Sequence, residues 1–385
     1  MRKEFLPYNL PDLDWEEEEA LVQTLRSHWI SRGPLTEQFE TALSQELGVP
    51  QVLALSSCTA GMHLALLARG IGPGDEVITT PMTFAASVNV IIHAGATPVL
   101  VDVEEDTGNI DLTQVEEAIT DKTKAILPVH YAGHSVDMEH LNRLRDRYRL
   151  IIVEDAAHAI ASSYQGRRVG SFGNITSFSF YANKNLTTGE GGAMVVPDPD
   201  LAERIRILSL HGMSRHAWNR YSEKGSWAYS IEAPGFKYNM TDLQAALGLV
   251  QLQKLGRMQA RREQIARRYT QELSDLPVIV PTTREYAKHA WHLYPVRLQS
   301  EFLTISRDDF IQRLKEHNIG TSVHFIPIHF HPYYQEHYGF RPGQFPHAEQ
   351  FFHQEVSLPL YPSMTDADIH DVIQSVRAII LSHLV

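Results

Sequence analysis

Short apolar runs alternate with helical patterns through the first two-thirds of this chain, and that alternation is the strongest constraint on its fold. Strand candidates fall at residues 52–55, 76–79, 97–103, 125–129, 150–153, 175–180 and 193–196. Most are apolar throughout, which marks strands buried on both faces. Helical patterns separate most of them, for example residues 85–93 and 138–148. Buried strands joined through helices imply an α/β fold: a mostly parallel central sheet with helices on both faces. Ligands in such folds bind beyond the C-terminal ends of the strands.

Two helices are expected ahead of the first strand. Leu21, Val22, Leu25 and Trp29 mark an apolar face on one; Leu35, Phe39, Ala42, Leu43 and Leu47 mark the other, which Gly48 stops. Residues 212–235 interrupt the pattern with a long segment rich in aromatics (Trp218, Tyr221, Trp227 and Tyr229). Loops of that length are usually functional. Thr241-Asp-Leu-Gln244 reads as a capping box opening a helix, and a basic amphipathic helix is expected over 257–273. We divide the chain into a large domain, 1–256, and a smaller C-terminal α+β domain, 257–385. The latter has strands expected at 292–298 and 322–325 and helices at 307–317 and 366–384.

Two strand ends carry chemistry. Asp155 closes one apolar run, and Lys184 lies between the next run and Gly189-Glu-Gly-Gly192. An acid and a lysine so placed suit pyridoxal phosphate. The lysine can form a Schiff base with the cofactor aldehyde, and the acid can keep the pyridine nitrogen protonated. Burial would lower the lysine pKa and free its amine. Taken alone, Asp155 has a competing reading as a strand-end cap, and a lone lysine is most often a solvated charge. Between the first strand and its helix, Ser56-Ser-Cys-Thr-Ala-Gly-Met-His63 offers small residues and backbone amides for a phosphate. It reads equally as a plain turn with hydroxyl caps.

Other features exclude. A net charge of −12 argues against nucleic acid as a partner. Cys58 is the only cysteine, so there is no intrachain disulfide, in keeping with a reducing cytoplasm. The opening Met1-Arg-Lys-Glu-Phe-Leu-Pro-Tyr8 is followed by acidic residues rather than a signal-peptide core, and no apolar run reaches membrane-spanning length. The run from His324 through His329 and His331 to Tyr334 invites a metal reading. It lacks an acidic ligand, so core or substrate-loop histidines, and no metal, are expected.

Several segments together resemble the DegT/DnrJ/EryC1/StrS family of pyridoxal-phosphate-dependent nucleotide-sugar aminotransferases, within fold type I. They are Trp29-Ile-Ser-Arg-Gly-Pro34, Gly72-Pro-Gly-Asp-Glu-Val-Ile78, Pro128-Val-His-Tyr-Ala-Gly133, Val153-Glu-Asp-Ala-Ala-His158, the lysine segment, Pro234-Gly-Phe-Lys-Tyr-Asn-Met-Thr-Asp242 and His289-Ala-Trp-His292. The resemblance implies that Lys184 binds the cofactor and shuttles a proton. It implies that Asp155 pairs with the pyridinium nitrogen, that His158 lies beside the ring oxygen and that Phe84 stacks on the ring. Ser179 and the Cys58 and Thr59 amides would hold the phosphate. Asn239 would reach the cofactor phosphate of a neighbouring subunit, giving a homodimer with shared active sites, with the loop 212–235 in the shared wall. Arg32 and His329 would contact the nucleotide sugar. L-Glutamate would donate the amino group, leaving as 2-oxoglutarate, to a UDP-linked 4-keto sugar. Two departures stand out: Cys58 replaces a common glycine, and Gly-Phe-Lys-Tyr-Asn239 makes Lys237 an alternative cross-subunit donor. A cofactor-binding regulator without turnover, or another fold-type-I reaction on a free amino acid, are the competing readings.

Overall fold

A computed structural model of the chain describes residues 2–214 and 229–385. The large domain begins with α1 (Trp15–Arg26), α2 (Pro34–Leu47), β1 (Val52–Leu55), α3 (Cys58–Ala68), β2 (Glu76–Thr79), α4 (Ala85–His93) and β3 (Thr97–Leu100). It continues with α5 (Leu112–Ala118), β4 (Thr123–Ile126), α6 (Met138–Tyr148), β5 (Ile151–Asp155), β6 (Ser163–Tyr164), β7 (Arg167–Arg168), β8 (Ile175–Ser179), β9 (Gly192–Val195) and α7 (Pro199–Leu208). The C-terminal part comprises α8 (Asp242–Leu273), β10 (Val278–Ile279), β11 (Ala287–Lys288), β12 (Tyr294–Leu298), α9 (Arg307–Glu316), α10 (Pro332–Tyr338), α11 (Pro346–Gln354), β13 (Glu355–Leu358) and α12 (Asp366–Leu381).

The central sheet has the order β1-β9-β8-β5-β4-β2-β3. β8, β5, β4, β2 and β3 pair in parallel, and only β9 runs against its neighbours. The β8–β9 link is therefore not a helical crossover but an irregular loop across the C-terminal end of β8, and Lys184 sits on it. One sheet face packs against α3, α4 and α7 through Leu64, Ile91 and Ile205; Phe39, Leu43 and Leu255 belong to the core on the other. A separate core in the small domain joins Ile265, Tyr294, Phe310, Val356 and Ile380 around β10-β12-β13. Leu6 from the N-terminus belongs to that core.

Three expectations meet corrections. The two helices foreseen on either side of residue 256 are one 32-residue helix, α8, opened by the foreseen capping box at Thr241. The division at 256/257 thus falls inside an element that belongs to both cores, since Leu255 packs in one and Ile265 in the other. The apolar face foreseen on α1 does not turn inward. Leu25 is 55% and Trp15 71% exposed, while the buried residues are Glu17 and Thr24. Glu17 is drawn in by Lys254 (2.8 Å) and Gln251 (2.7 Å) of α8, so this contact is polar. Residues 322–325 form only an isolated bridge, Ser322 to Ser357, and not a strand. The His324 backbone is held instead by side chains: its N–H donates to Glu355 at 2.8 Å and its carbonyl accepts from the Tyr131 hydroxyl.

No helix among the described residues is long and apolar enough to cross a membrane.

Candidate active site

A cavity of about 510 Å³ opens at the C-terminal ends of β1, β5 and β8, where the fold places ligands. Lys184, Asp155, His158, Ser179, Cys58, Thr59 and Phe84 all line it. Those expected residues come from four separate stretches of chain.

Asp155 ends β5 because the strand feeds it into the sheet's C-terminal edge. It is buried, and its charge is held by donors. Oδ2 accepts from Ser87 Oγ of α4 at 2.7 Å, and Oδ1 accepts from the Ala157 N–H at 3.0 Å. The Cys58 thiol lies 3.8 Å from Oδ1 and 3.3 Å from the Ser177 carbonyl; burial, then the nearby Asp155 charge, pushes its pKa well up. A neutral thiol of this kind packs and donates weakly rather than attacking.

Lys184 is half-buried in the cavity wall. Loss of water around its amine lowers its pKa to about 8, against the opposing pull of Asp155 and Cys58. Nζ lies 3.4 Å from His292 Nε2. The His158 ring sits 4.3 Å from that of His292 and is stacked on Phe325 at 5.9 Å. Burial drives the His158 pKa well below the usual imidazole value, with Lys184 adding to the effect. Its Nδ1 is buried without a hydrogen-bond partner, and a buried polar atom of that kind calls for a ligand or water.

The phosphate turn is built by close approach. Ser57 caps α3, its Oγ accepting from the Ala60 N–H at 3.0 Å. A Cβ on Gly192 of β9 would meet the Cys58 nitrogen at 2.4 Å, so only glycine lets the α3 N-terminus sit so close to the sheet. These groups fit pyridoxal phosphate. A helix N-terminus with hydroxyls suits the phosphate, a buried carboxylate suits a protonated ring nitrogen, and a lysine of lowered pKa suits the aldehyde.

Three expected residues lie outside the cavity lining. His329 is fully buried behind it, because the turn at 328–330 tucks inward; Nε2 pairs with Glu349 at 3.0 Å, and the ring packs on Phe330 and Phe345. Arg32 bonds to Glu40 at 3.2 Å on α2. Asn239 pairs as a bridge with Leu55 and donates to the Met240 carbonyl at 3.1 Å, leaving its Oδ1 buried and unpartnered. Lys237 forms a backbone bridge to Leu210. Of the loop 212–235, Trp218, Tyr221 and Trp227 lie outside the described residues; Tyr229 is about half-exposed. Among the described residues no group of three or more His, Cys, Asp or Glu is disposed to hold a metal ion.

The structure adds residues to which the sequence reading gave no role: Thr83, Tyr181, Asn183, Glu190, His292 and Phe325 line the cavity with Ser57 and His324, and Ser87 supports Asp155 from behind. His292 and His324 belong to segments that were singled out, but nothing in their spacing ties them to Lys184. Ser87 gives no sequence signal, being one small polar residue on an apolar helix.

Comparison with known proteins agrees with this geometry. Residues 11–377 match the DegT/DnrJ/EryC1/StrS aminotransferase family. The chain is 51% identical over 381 residues to the spore coat polysaccharide biosynthesis protein SpsC of Bacillus subtilis, covering 98% of each chain. Its structure is similar to the putative sugar aminotransferase Spr1654 of Streptococcus pneumoniae, solved in PMP and PLP forms. The PMP form matches with a TM-score of 0.93, 36% identity and coverage of 98% of this chain and 99% of that one. It is also similar to Helicobacter pylori PseC, an aminotransferase involved in pseudoaminic acid biosynthesis, with a TM-score of 0.90, 33% identity and coverage of 99% and 100%. The chain belongs to the DegT/DnrJ/EryC1/StrS aminotransferase family, and with it to the pyridoxal-phosphate-dependent sugar aminotransferases of fold type I.

Proposed function

We propose that this enzyme moves an amino group from L-glutamate to a UDP-linked 4-keto sugar, supplying an amino sugar for a cell-surface polysaccharide. The observation that carries the reading is the convergence of Lys184, Asp155 and the α3 N-terminus on one cavity. The polysaccharide role is supported by the name of SpsC, and a keto-sugar acceptor by the sugar aminotransferases among the structural neighbours. Bound pyridoxal phosphate supplies an electron-withdrawing ring that stabilises a carbanion and stores the amino group between the two half-reactions.

The chain's residues do the rest. Lys184, with its amine freed by burial, would hold and move the proton exchanged between the substrate carbon and the cofactor side. Asp155, fixed by Ser87 and Ala157, would keep the ring nitrogen protonated. Ser179 and the Cys58 and Thr59 amides would take the phosphate. Phe84, 67% exposed and lining the cavity, would cover one ring face, and His158, also in the lining, would stand beside the ring oxygen.

The apolar surface of α1 and its flanks (Leu10, Leu13, Trp15, Leu25 and Ile30), exposed among the described residues, supports a homodimer, with Asn239 or Lys237 reaching the partner's site. The single, buried Cys58 suits work in the reducing cytoplasm.

The test follows the visible absorption of the loaded enzyme. L-Glutamate should bleach the cofactor band, and one UDP-linked 4-keto sugar should restore it, with the aminated sugar seen by mass spectrometry. A band that glutamate leaves unchanged would overturn the donor. A response only to free amino acids would overturn the acceptor. Lys184→Ala should lose roughly 10³-fold or more of turnover, since proton transfer and cofactor attachment go together.

A further inference from the structure

Asn185 follows Lys184 in the chain and is buried beneath it. Its Nδ2 donates to the Ala290 carbonyl at 2.7 Å. That bond fixes which way the amide points: Oδ1 faces the His292 ring, 3.1 Å from Nδ1. A carbonyl oxygen only accepts, so Nδ1 must carry the hydrogen. The His292 ring is buried among His158, Lys184 and Arg262, which disfavours a second proton. Nε2 therefore presents a lone pair, and it is this atom that lies 3.4 Å from Lys184 Nζ.

The ring has little freedom to turn. The His292 N–H and the Leu293 N–H both donate to the Ala132 carbonyl, at 3.0 and 3.2 Å, and the Ala290 N–H donates to the Gly133 carbonyl at 2.9 Å. The His158 ring closes the other side at 4.3 Å. A rigid acceptor thus meets the end of a flexible four-carbon side chain.

We infer that His292, locked by Asn185 as the Nδ1–H tautomer, is a positioning residue that accepts one N–H of Lys184 and so turns the amine lone pair into the cavity. The neutral amine has two N–H bonds and one lone pair. Committing one N–H to Nε2 leaves fewer orientations in which the lone pair misses its target. His292 takes the hydrogen bond and not the proton. Asn185 acts one step further back, by holding the tautomer. The inference rests on Lys184 being the residue that captures the cofactor.

The test uses cofactor-free enzyme and needs no sugar substrate. The rate at which pyridoxal phosphate is captured is followed by absorbance for the wild type, Lys184→Ala, His292→Phe, His292→Gln and Asn185→Leu. Capture should slow about 10- to 100-fold in His292→Phe and Asn185→Leu. It should recover in large part in His292→Gln, whose amide oxygen can accept where Nε2 did. In parallel, ¹⁵N resonances of the wild-type imidazoles, assigned to His292 by their loss in His292→Gln, should show a protonated Nδ1 and a bare Nε2. That measurement stands even if His292→Phe or Asn185→Leu fails to fold. A protonated Nε2, or wild-type capture by His292→Phe while Lys184→Ala captures nothing, would overturn the inference and leave the lysine assignment intact. Undiminished capture by Lys184→Ala would overturn both.

Discussion

At the residue scale the site is governed by burial acting on charge. Lys184 has a pKa lowered to about 8, so its neutral amine is abundant above that pH and falls away below it. Cofactor capture by the free enzyme should therefore rise with pH to a midpoint near 8, against about 10.4 for an ordinary lysine, and drop about tenfold per unit below it. A midpoint close to that of free lysine would contradict a buried amine. Glu355 behaves oppositely: burial raises its pKa to about 8, although Ser357 and the His324 N–H favour its charge. A carboxyl whose folded pKa lies above its unfolded one binds more protons when folded. The stability it contributes is complete below about pH 4.3 and is lost as pH rises through 8. Urea melts from pH 5 to 8.5 should show that loss, and Glu355→Gln, which keeps the neutral shape, should flatten it. Of these residues, Asp155 was legible because it closes an apolar run, and Lys184 because it lies between such a run and a glycine-rich turn, both local signals. The His324–Tyr334 run was legible only as core or substrate-loop histidines, because alternation does not show which of them faces inward; His329, which the resemblance places at the nucleotide sugar, is buried against Glu349. The chain turns at 328–330 and presents His324 and Phe325 to the cavity instead.

At the scale of elements, the large domain follows its pattern closely because its strands are buried on both faces and α1, α3, α5, α6 and α7 carry side-chain caps. β1, β2, α4 and α6 begin and end where the periodicity puts them. The small domain was less legible. β13 follows α11 with no glycine or proline between them, and β10 has two residues, so neither announces itself. Two substitutions probe elements directly. Gly192→Ala would drive a methyl into the backbone at Ser57 and Cys58, both 2.4 Å from the added carbon. It should cost about 1–3 kcal/mol of stability and weaken cofactor binding, read by thermal melting and cofactor titration. Thr241→Ala removes half of the capping box on α8, whose Oγ accepts from the Gln244 N–H at 3.3 Å. It should cost about 1 kcal/mol with little change in cofactor affinity.

At the scale of the whole molecule, the outward apolar face of α1 should be covered by a second copy. Sedimentation should give a dimer, and Trp15→Glu combined with Leu25→Glu should shift it toward monomer; a wild-type monomer at micromolar concentration would refute the dimer. By itself the sequence determined what depends on local order: the sheet with its helices, and the strand ends beside which Asp155 and Lys184 come to line one cavity. Periodicity and turn residues are written into neighbouring positions, and strand ends can be read from them. Only the tertiary structure decided which distant groups converge on those ends. Ser87 reaches Asp155 across 68 positions, and His292 meets Lys184 across 108. Those contacts depend on how strands stack and how loops return over them, and hydrogen bonds formed by folding leave no trace in the spacing of residues along the chain.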